Sequence, residues 1–193
     1  MKKIIKNTLI LTLITLVAGL SLATVYEVTK EPIAAAEEQA KMNAFRAVMP
    51  DADSFENLTE EPVTHEGIRI EQVVAAKSGD KQLGWALTVT STEGYGGDVT
   101  VAMGVSPDGT LTGISVISQS ETAGLGAKCA EDEFTSQFAG ITGGIVTYVK
   151  GGATAQGEVD AISGATITTD AVVSAVNAGL SYVRECYMFE GRA

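Results

Sequence analysis

The fold of this chain is decided by residues 99–117, which read V-T-V-A-M-G-V-S-P-D-G-T-L-T-G-I-S-V-I. Val99, Val101, Met103 and Val105 alternate with small or polar residues, which is the two-residue period of a strand with one buried face. The P-D-G sequence at residues 107–109 is typical of a hairpin turn. Residues 111–117 then return as the partner strand. The stretch therefore predicts an antiparallel hairpin.

Upstream of this hairpin, the same period predicts two more strands. Apolar residues alternate beyond Gly67 and again, more cleanly, at Leu83, Trp85, Leu87 and Val89, which places Trp85 in the core. A glycine-rich turn, G-Y-G-G at residues 94–97, separates them from the hairpin. Residues 51–66 are acidic and are expected to be irregular.

Downstream, the pattern changes to that of helices. Residues 131–139 suggest a short helix with Phe134 and Phe138 one turn apart, and residues 145–149 suggest a strand. Apolar residues hold helical spacing from Asp170 to about Phe189. Strands grouped between helices, without regular βαβ alternation, predict an α+β domain with a central antiparallel sheet and flanking helices.

The chain start predicts a membrane anchor. Three lysines precede an apolar run over residues 8–26, and nineteen helical residues span about 28 Å, close to the thickness of a bilayer core. Residues 1–7 are then expected in the cytoplasm, residues 8–26 in the membrane, and the residues that follow outside the cytoplasm. A cleaved signal peptide is the alternative, because Ser21 and Ala23 suit a signal peptidase. Residues 27–66 are expected to form a helical (32–49) and acidic linker, and residues 67–193 the globular domain.

Composition and charge exclude several function classes. Beyond residue 30 the chain carries nine basic and twenty-three acidic residues, a net charge of −14, which disfavours nucleic acid and anionic lipid headgroups. Cys129, Cys186 and the single histidine, His65, cannot assemble a zinc or iron–sulfur ligand set. The two cysteines can pair only if their Cα atoms lie within range, which the sequence leaves open. His65 is expected in a solvated loop.

A candidate phosphate site lies at residues 160–169, D-A-I-S-G-A-T-I-T-T, just before the last helix. Ser163 and Thr166 present hydroxyls on a turn of small residues, and a helix N-terminus offers unpaired N–H groups and a positive dipole end. Thr168, Thr169 and Asp170 are the expected helix caps. A Ser/Thr-rich cap without further function is the plain alternative.

The string D-A-I-S-G-A-T resembles the flavinylation signature of the FMN-binding domain family. The resemblance implies FMN joined by a phosphoester to Thr166, without change to the redox chemistry of the ring. It also implies attachment by a flavin transferase that recognises Asp160, Ser163, Gly164 and Ala165.

Two further segments resemble the same family. One is G-Y-G-G, and the other is S-E-T-A-G-L-G-A-K at residues 120–128. In the family this loop implies a flavin environment made by Glu121, Thr122, Gly124, Leu125 and Gly126. Lys128 is expected either near flavin N1 or the phosphate, or in solvent. Gln119 and Ala123 depart from the histidine and proline of many members.

The order of these segments is similar to that of G subunits of Rnf complexes, membrane-bound ion-translocating ferredoxin:NAD oxidoreductases. The resemblance implies a one-flavin electron relay whose partners are the other subunits of the complex. No dinucleotide fingerprint or P-loop is present, so NAD and iron–sulfur steps would belong to those partners. Three alternatives are the corresponding subunit of a sodium-translocating NADH:quinone oxidoreductase, a free-standing extracellular flavin carrier, and an anchored binding module without redox activity.

Overall fold

The computed structural model describes residues 1–59 and 61–188, and its first element is a long helix. This helix, α1, runs over Lys2–Val48 and continues through Pro32. The first compact unit, Met1–Ala40, is almost entirely this helix. In the described part of the chain, α1 is the one helix that is long and apolar enough to cross a membrane. The threonines of its apolar stretch are tolerated because their hydroxyls donate to carbonyls one turn earlier, as Thr12 does to Thr8 at 2.9 Å.

The second compact unit begins at Lys41 and is built on an antiparallel sheet. Its strands within the described residues are β1 Ser54–Asn57, β2 Val63–His65, β3 Ile68–Ser78, β4 Lys81–Ser91, β5 Val99–Val105 and β6 Leu111–Ser118. The sheet order is β1-β3-β4-β5-β6, and β2 also pairs with β3. The expectation that residues 51–66 are irregular is therefore wrong, because β1 and β2 extend the sheet along β3. His65 lies on β2 and is exposed, as expected for a solvated residue, although on a strand.

The predicted hairpin is confirmed as β5 and β6, which pair from Thr100 with Ser118 to Val105 with Leu111. In its turn Asp108 accepts the N–H of Thr110 at 3.1 Å, and Gly109 takes a positive φ of 85°. Hydrogen bonds from the Ser106 hydroxyl and the Thr110 amide hold the pKa of Asp108 below its usual range. The turn is thus fixed locally and needs no tertiary contact.

Each face of the sheet is covered by a helix. Trp85, Leu87 and Val89 of β4 point into the main core, which confirms the alternation read from the sequence. The opposite face presents small side chains, including Ala86 and Ala102, to the end of α1 and the residue after it. The residues that pack there from this segment are Ala44, Phe45, Val48 and Met49.

The chain from Gly126 onward forms short elements and the closing helix. These are a 3₁₀ helix at Gly126–Ala130, α2 Asp132–Thr135, a second 3₁₀ turn Ser136–Phe138, a parallel strand pair β7 Thr147–Val149 and β8 Glu158–Asp160, α3 Thr166–Val183 and a π-helical turn Arg184–Met188. Phe134 and Phe138 pack edge to face with ring centroids 5.3 Å apart. The predicted end of the last helix, Phe189, falls outside the described residues.

This architecture confirms the predicted α+β class. Helix α3 begins four residues earlier than the expected Asp170, at Thr166. It packs closely on the sheet at Gly179, where a Cβ would collide with Met103 of β5. This close approach lets α3 lie against β5, and the S-G-A-T turn stands at the start of the same helix.

Candidate functional site

The S-G-A-T turn connects β8 to α3 and exposes a hydroxyl at the helix start. Ala165 donates its N–H to the carbonyl of Ile162 at 3.0 Å, and Gly164 has a φ of +78°, which favours glycine. Ser163, Gly164 and Thr166 are exposed, while Ala165 is buried. Thr166 is the first residue of α3 and its side chain is open to attachment.

The predicted caps of this helix are wrong, because Thr168, Thr169 and Asp170 lie inside it. Ala165 occupies the N-cap position and has no side-chain hydrogen bond to offer. The hydroxyl of Thr169 donates to the carbonyl of Ala165 and accepts the N–H of Ile162, both at 3.0 Å. These bonds fold the turn back onto its own helix and keep the helix N-terminus free of a side-chain cap.

A cleft of about 600 Å³ lies in front of Thr166. Three segments form it: the G-Y-G-G turn, the E-T-A-G-L-G loop and the start of α3. The residues that line it are Tyr95, Glu121, Thr122, Leu125, Gly126, Gly164, Ala165, Thr166, Ile167 and Thr168. The structure therefore brings together seven of the eleven site residues expected from the sequence.

The rim of this cleft is apolar and exposed. Tyr95 is 73% exposed, Ile167 53% and Leu125 45%. Beyond α1, the described residues include six exposed large hydrophobic side chains, and these three surround one cleft. Exposed apolar residues that cluster around a cleft are typical of a binding site, whereas single exposed apolar residues are common on any protein surface.

The wall of the cleft contains a buried carboxylate, that of Glu121. Its Oε1 accepts the N–H of Gly96 at 2.9 Å, and its Oε2 accepts the hydroxyl of Thr168 at 2.6 Å. The backbone N–H of Glu121 donates to Oε1 of Gln119 at 2.6 Å. Gln119 thus has a structural contact at the position where many members of the family carry histidine.

The other expected site residues lie elsewhere. Lys128, Asp160 and Ser163 line a second cleft of about 610 Å³, together with Glu131 and Glu158 among others. Asp160 Oδ1 accepts the N–H of Ala153 at 2.8 Å, so its carboxylate orders the backbone before the turn. Gly124 is exposed in the loop with a φ of +77°.

Lys128 lines the second cleft and not the first. It lies on the 3₁₀ helix Gly126–Ala130 and faces the acidic second cleft. Its side chain is exposed. Whether Lys128 acts near flavin N1 or the phosphate therefore stays a prediction.

Two ionisable groups near the site have altered acidity. Burial, and secondarily the charge of Glu121, raises the pKa of the Cys129 thiol to about 11. The charge of Asp170 raises the pKa of Tyr148. Cys129 and Cys186 are both free thiols, so the disulfide that the sequence left open is not formed.

Sequence reasoning missed Tyr95 and Ile167 as lining residues and treated Thr168 only as a cap. Tyr95 lies inside the G-Y-G-G motif. An aromatic residue between the glycines of a turn indicates an exposed ring. Ile167 is an apolar residue between threonines directly after Thr166. The sequence alone gives no signal that Thr168 contacts Glu121, because 47 residues separate them.

Comparison with known proteins agrees with this geometry. The FMN-binding domain family matches residues 94–181, which include every residue that lines the cleft. The model of the RnfG N-terminal region matches residues 1–48, which correspond to α1. The family resemblance read from the short motifs is therefore confirmed over both parts of the chain.

Solved structures share the fold of the sheet domain. NqrC from Shewanella oneidensis superposes with a TM-score of 0.52 at 19% identity, over 68% of this chain and 66% of that one. The C subunit of the Na⁺-translocating NADH-quinone reductase from Parabacteroides distasonis gives 0.52 at 23% identity, over 68% and 76%. At these identities the likeness shows a common fold and no more.

Full-length relatives are more similar in sequence. The G subunit of the Na⁺-translocating ferredoxin:NAD⁺ oxidoreductase complex of Acetobacterium woodii is 36% identical, over 91% of this chain and 89% of that protein. The G subunit of the proton-translocating ferredoxin:NAD⁺ oxidoreductase complex of Clostridium ljungdahlii is 30% identical, over 90% and 88%. These identities extend over most of both chains, and the family models match both α1 and the sheet domain. The chain therefore belongs to the family of G subunits of Rnf complexes and carries its FMN-binding domain.

Proposed function

We propose that this chain carries FMN in phosphoester linkage to Thr166 and relays electrons as a membrane-anchored subunit of an Rnf-type ferredoxin:NAD oxidoreductase complex. The observation that carries the proposal is the position of Thr166. Its exposed hydroxyl stands at the start of α3, at the edge of a cleft made by the three segments typical of the family. Bound FMN would supply reversible electron transfer.

The residues of the cleft fit this cofactor in size and chemistry. A volume of about 600 Å³ lies within the range of about 300–1,000 Å³ usual for small-molecule sites. A phosphoryl group on Thr166 would face a helix N-terminus whose N-cap, Ala165, provides no side-chain acceptor. The unpaired N–H groups of the first turn and the positive end of the helix dipole both favour an anion there.

The apolar rim suits the flat ring of the flavin. Tyr95, Leu125 and Ile167 can cover a ring face, and Tyr95 can stack on it. Gly164 is exposed at the edge of the cleft and leaves its backbone accessible to a ring edge. Because the rim residues are themselves exposed, a ring held among them remains accessible at one edge to an electron donor or acceptor.

A covalent bond explains how an acidic domain can retain FMN. The chain beyond residue 30 has a net charge of −14, which repels free FMN, itself an anion. A phosphoester prevents loss of the cofactor regardless of that repulsion. The flavin transferase that forms it is proposed to read Asp160, Ser163, Gly164 and Ala165 before the target threonine.

The same proposal covers membrane topology and partners. Helix α1 is proposed as a retained single anchor with the N-terminus in the cytoplasm, because Lys2, Lys3 and Lys6 precede the apolar stretch. The FMN domain then lies outside the cytoplasm. Electrons reach the flavin from other subunits of the complex, and those subunits provide the NAD and iron–sulfur chemistry.

The test is retention of flavin by the denatured chain. Protein from native membranes is separated on a denaturing gel and illuminated, and the wild-type band is expected to fluoresce because the cofactor is covalent. Thr166→Ala is expected to give a dark band, while Thr154→Ala, a change at an exposed threonine away from the cleft, keeps the fluorescence. A fluorescent Thr166→Ala band would contradict the proposed attachment site.

A further inference from the structure

One side chain holds together the three segments of the cleft. Glu121 is only 8% exposed, and both of its carboxylate oxygens accept hydrogen bonds from other segments. Oε1 binds the N–H of Gly96 at 2.9 Å, and Oε2 binds the hydroxyl of Thr168, which is 1% exposed, at 2.6 Å. A buried carboxylate needs such donors to replace its lost water, so these bonds are specific.

The glycines around Glu121 show how closely the backbone approaches this carboxylate. A Cβ built on Gly94 would collide with the carbonyl oxygen of Gly97 and lie 2.8 Å from Oε1, and one built on Gly126 would overlap Oε2 and the hydroxyl of Thr168. The glycine turn and the G-L-G loop therefore have one structural reason in common. Both must leave room for the Glu121 side chain.

Each bond of Glu121 fixes a residue of the apolar rim. Gly96 follows Tyr95 directly, Thr168 follows Ile167 directly, and Glu121 itself begins the loop that carries Leu125. The three rim residues come from segments far apart in the chain. Their spacing across the cleft is thus set through the carboxylate of Glu121.

We propose that Glu121 is a positioning residue of the flavin site, with two effects. It holds the three walls of the cleft at the separation that the ring requires, and its negative charge beside the cleft disfavours further negative charge on the reduced flavin. This inference rests on the proposed function, since it assumes a flavin on Thr166. It assigns Glu121 no contact with the reacting atoms.

Two substitutions separate the effects. Glu121→Gln keeps an oxygen for the Gly96 N–H and nearly the same shape, but removes the charge. Glu121→Ala removes both hydrogen bonds. Glu185→Gln is the matched control, because Glu185 is an exposed acid on the turn that follows α3, at the end of that helix opposite Thr166.

The charge effect is measured as the flavin midpoint potential of protein purified from native membranes, after intact mass has shown equal flavin loading. Glu121→Gln is expected to raise the potential above that of wild type, while Glu185→Gln leaves it unchanged. An unchanged potential in fully loaded Glu121→Gln would overturn the electrostatic part of the proposal.

The positioning effect is measured by hydrogen exchange on protein made without the transferase, so that no flavin is needed. Glu121→Ala is expected to speed exchange of the Gly96 amide, and Glu121→Gln to leave it close to wild type. Equal Gly96 exchange in all variants would overturn the positioning part. A wild type without flavin in native membranes would instead refute the proposed function, and the exchange result would stand on its own.

Discussion

The hydrogen bond between Thr168 and Glu121 gives the most direct prediction about stability. Thr168→Val keeps the shape of the side chain but removes the hydroxyl that donates to the buried Oε2 of Glu121 at 2.6 Å. Hydrogen bonds to charged groups contribute about 1.5–3 kcal/mol, and an unpaired buried acceptor costs about as much. The free energy of unfolding of the domain is therefore expected to fall by about 2–3 kcal/mol, which is about 4–12 °C in Tm for a domain of this size.

The assay uses full-length protein in detergent, made without flavin and unfolded with urea. Trp85 is the single tryptophan and is 8% exposed in the main core, so its fluorescence reports the domain and not α1. Thr168→Ser keeps a hydroxyl and is expected to recover most of the loss, while Thr154→Val controls for the same substitution at an exposed site. A loss below about 0.5 kcal/mol in Thr168→Val, the size of ordinary surface effects, would refute the reasoning.

Three other changes are expected to alter stability in the same urea assay. Gly126→Ala places a Cβ against Oε2 of Glu121 and should cost about 1–3 kcal/mol, and wild-type stability would contradict the close approach. The pKa of Cys129 is raised from 9.0 to about 11 in the folded domain. The neutral thiol therefore contributes to the free energy of unfolding in full below pH 9, and this contribution is lost as the pH rises to 11. Cys129→Ala should weaken that alkaline loss, and an unchanged slope would contradict it. Asn177→Leu removes both bonds to the buried backbone of Val146, at 2.7 and 2.8 Å, and should cost about 2–4 kcal/mol, whereas a loss under about 0.5 kcal/mol would contradict it.

The central strands were predictable because their burial is one-sided. In β4 and β5 every second residue enters the main core, and that period is visible in sequence without knowledge of the partner strands. The P-D-G turn joined β5 to β6 by local chemistry alone. These parts of the fold depend on interactions that are close in sequence.

Strands β1 and β2 were not predictable for the opposite reason. The residues of β2 are all exposed, and those of β1 nearly so. Both strands pair with β3 through the backbone, and β1 adds a side-chain contact between Phe55 and Phe45. Backbone hydrogen bonds carry little side-chain signature, and polar residues are common on strands at the margin of a sheet. An acidic segment of this kind therefore resembles a loop in sequence.

The start of α3 shows how a local rule was overridden by tertiary contacts. Capping preferences favour Thr168, Thr169 or Asp170 at the N-cap of this helix over Ala165, whose side chain cannot accept a hydrogen bond. In the structure, the hydroxyls of Thr168 and Thr169 are buried and bonded to Glu121 and to the turn. Burial of these threonines inside the domain moves the helix start back to Thr166.

The residues of the candidate site that lie in one segment of sequence were predictable, and those that come together from distant segments were not. Thr166 follows from a seven-residue string, D-A-I-S-G-A-T, that resembles a family signature. Tyr95 and Ile167 lie in segments separated by about seventy residues, and only the folded chain brings them together around one cleft. The second cleft, which contains Lys128 and Asp160, separates residues that the sequence had grouped in one site.

Intact mass of the chain purified from its native membranes decides whether a flavin is tethered at Thr166. The mass is expected to exceed that of the sequence by one FMN less water, about 438 Da. The increment is expected on the peptide that contains Thr166 and is expected to be absent from Thr166→Ala. A native chain with the unmodified mass, or with the increment retained in Thr166→Ala, would contradict this attachment.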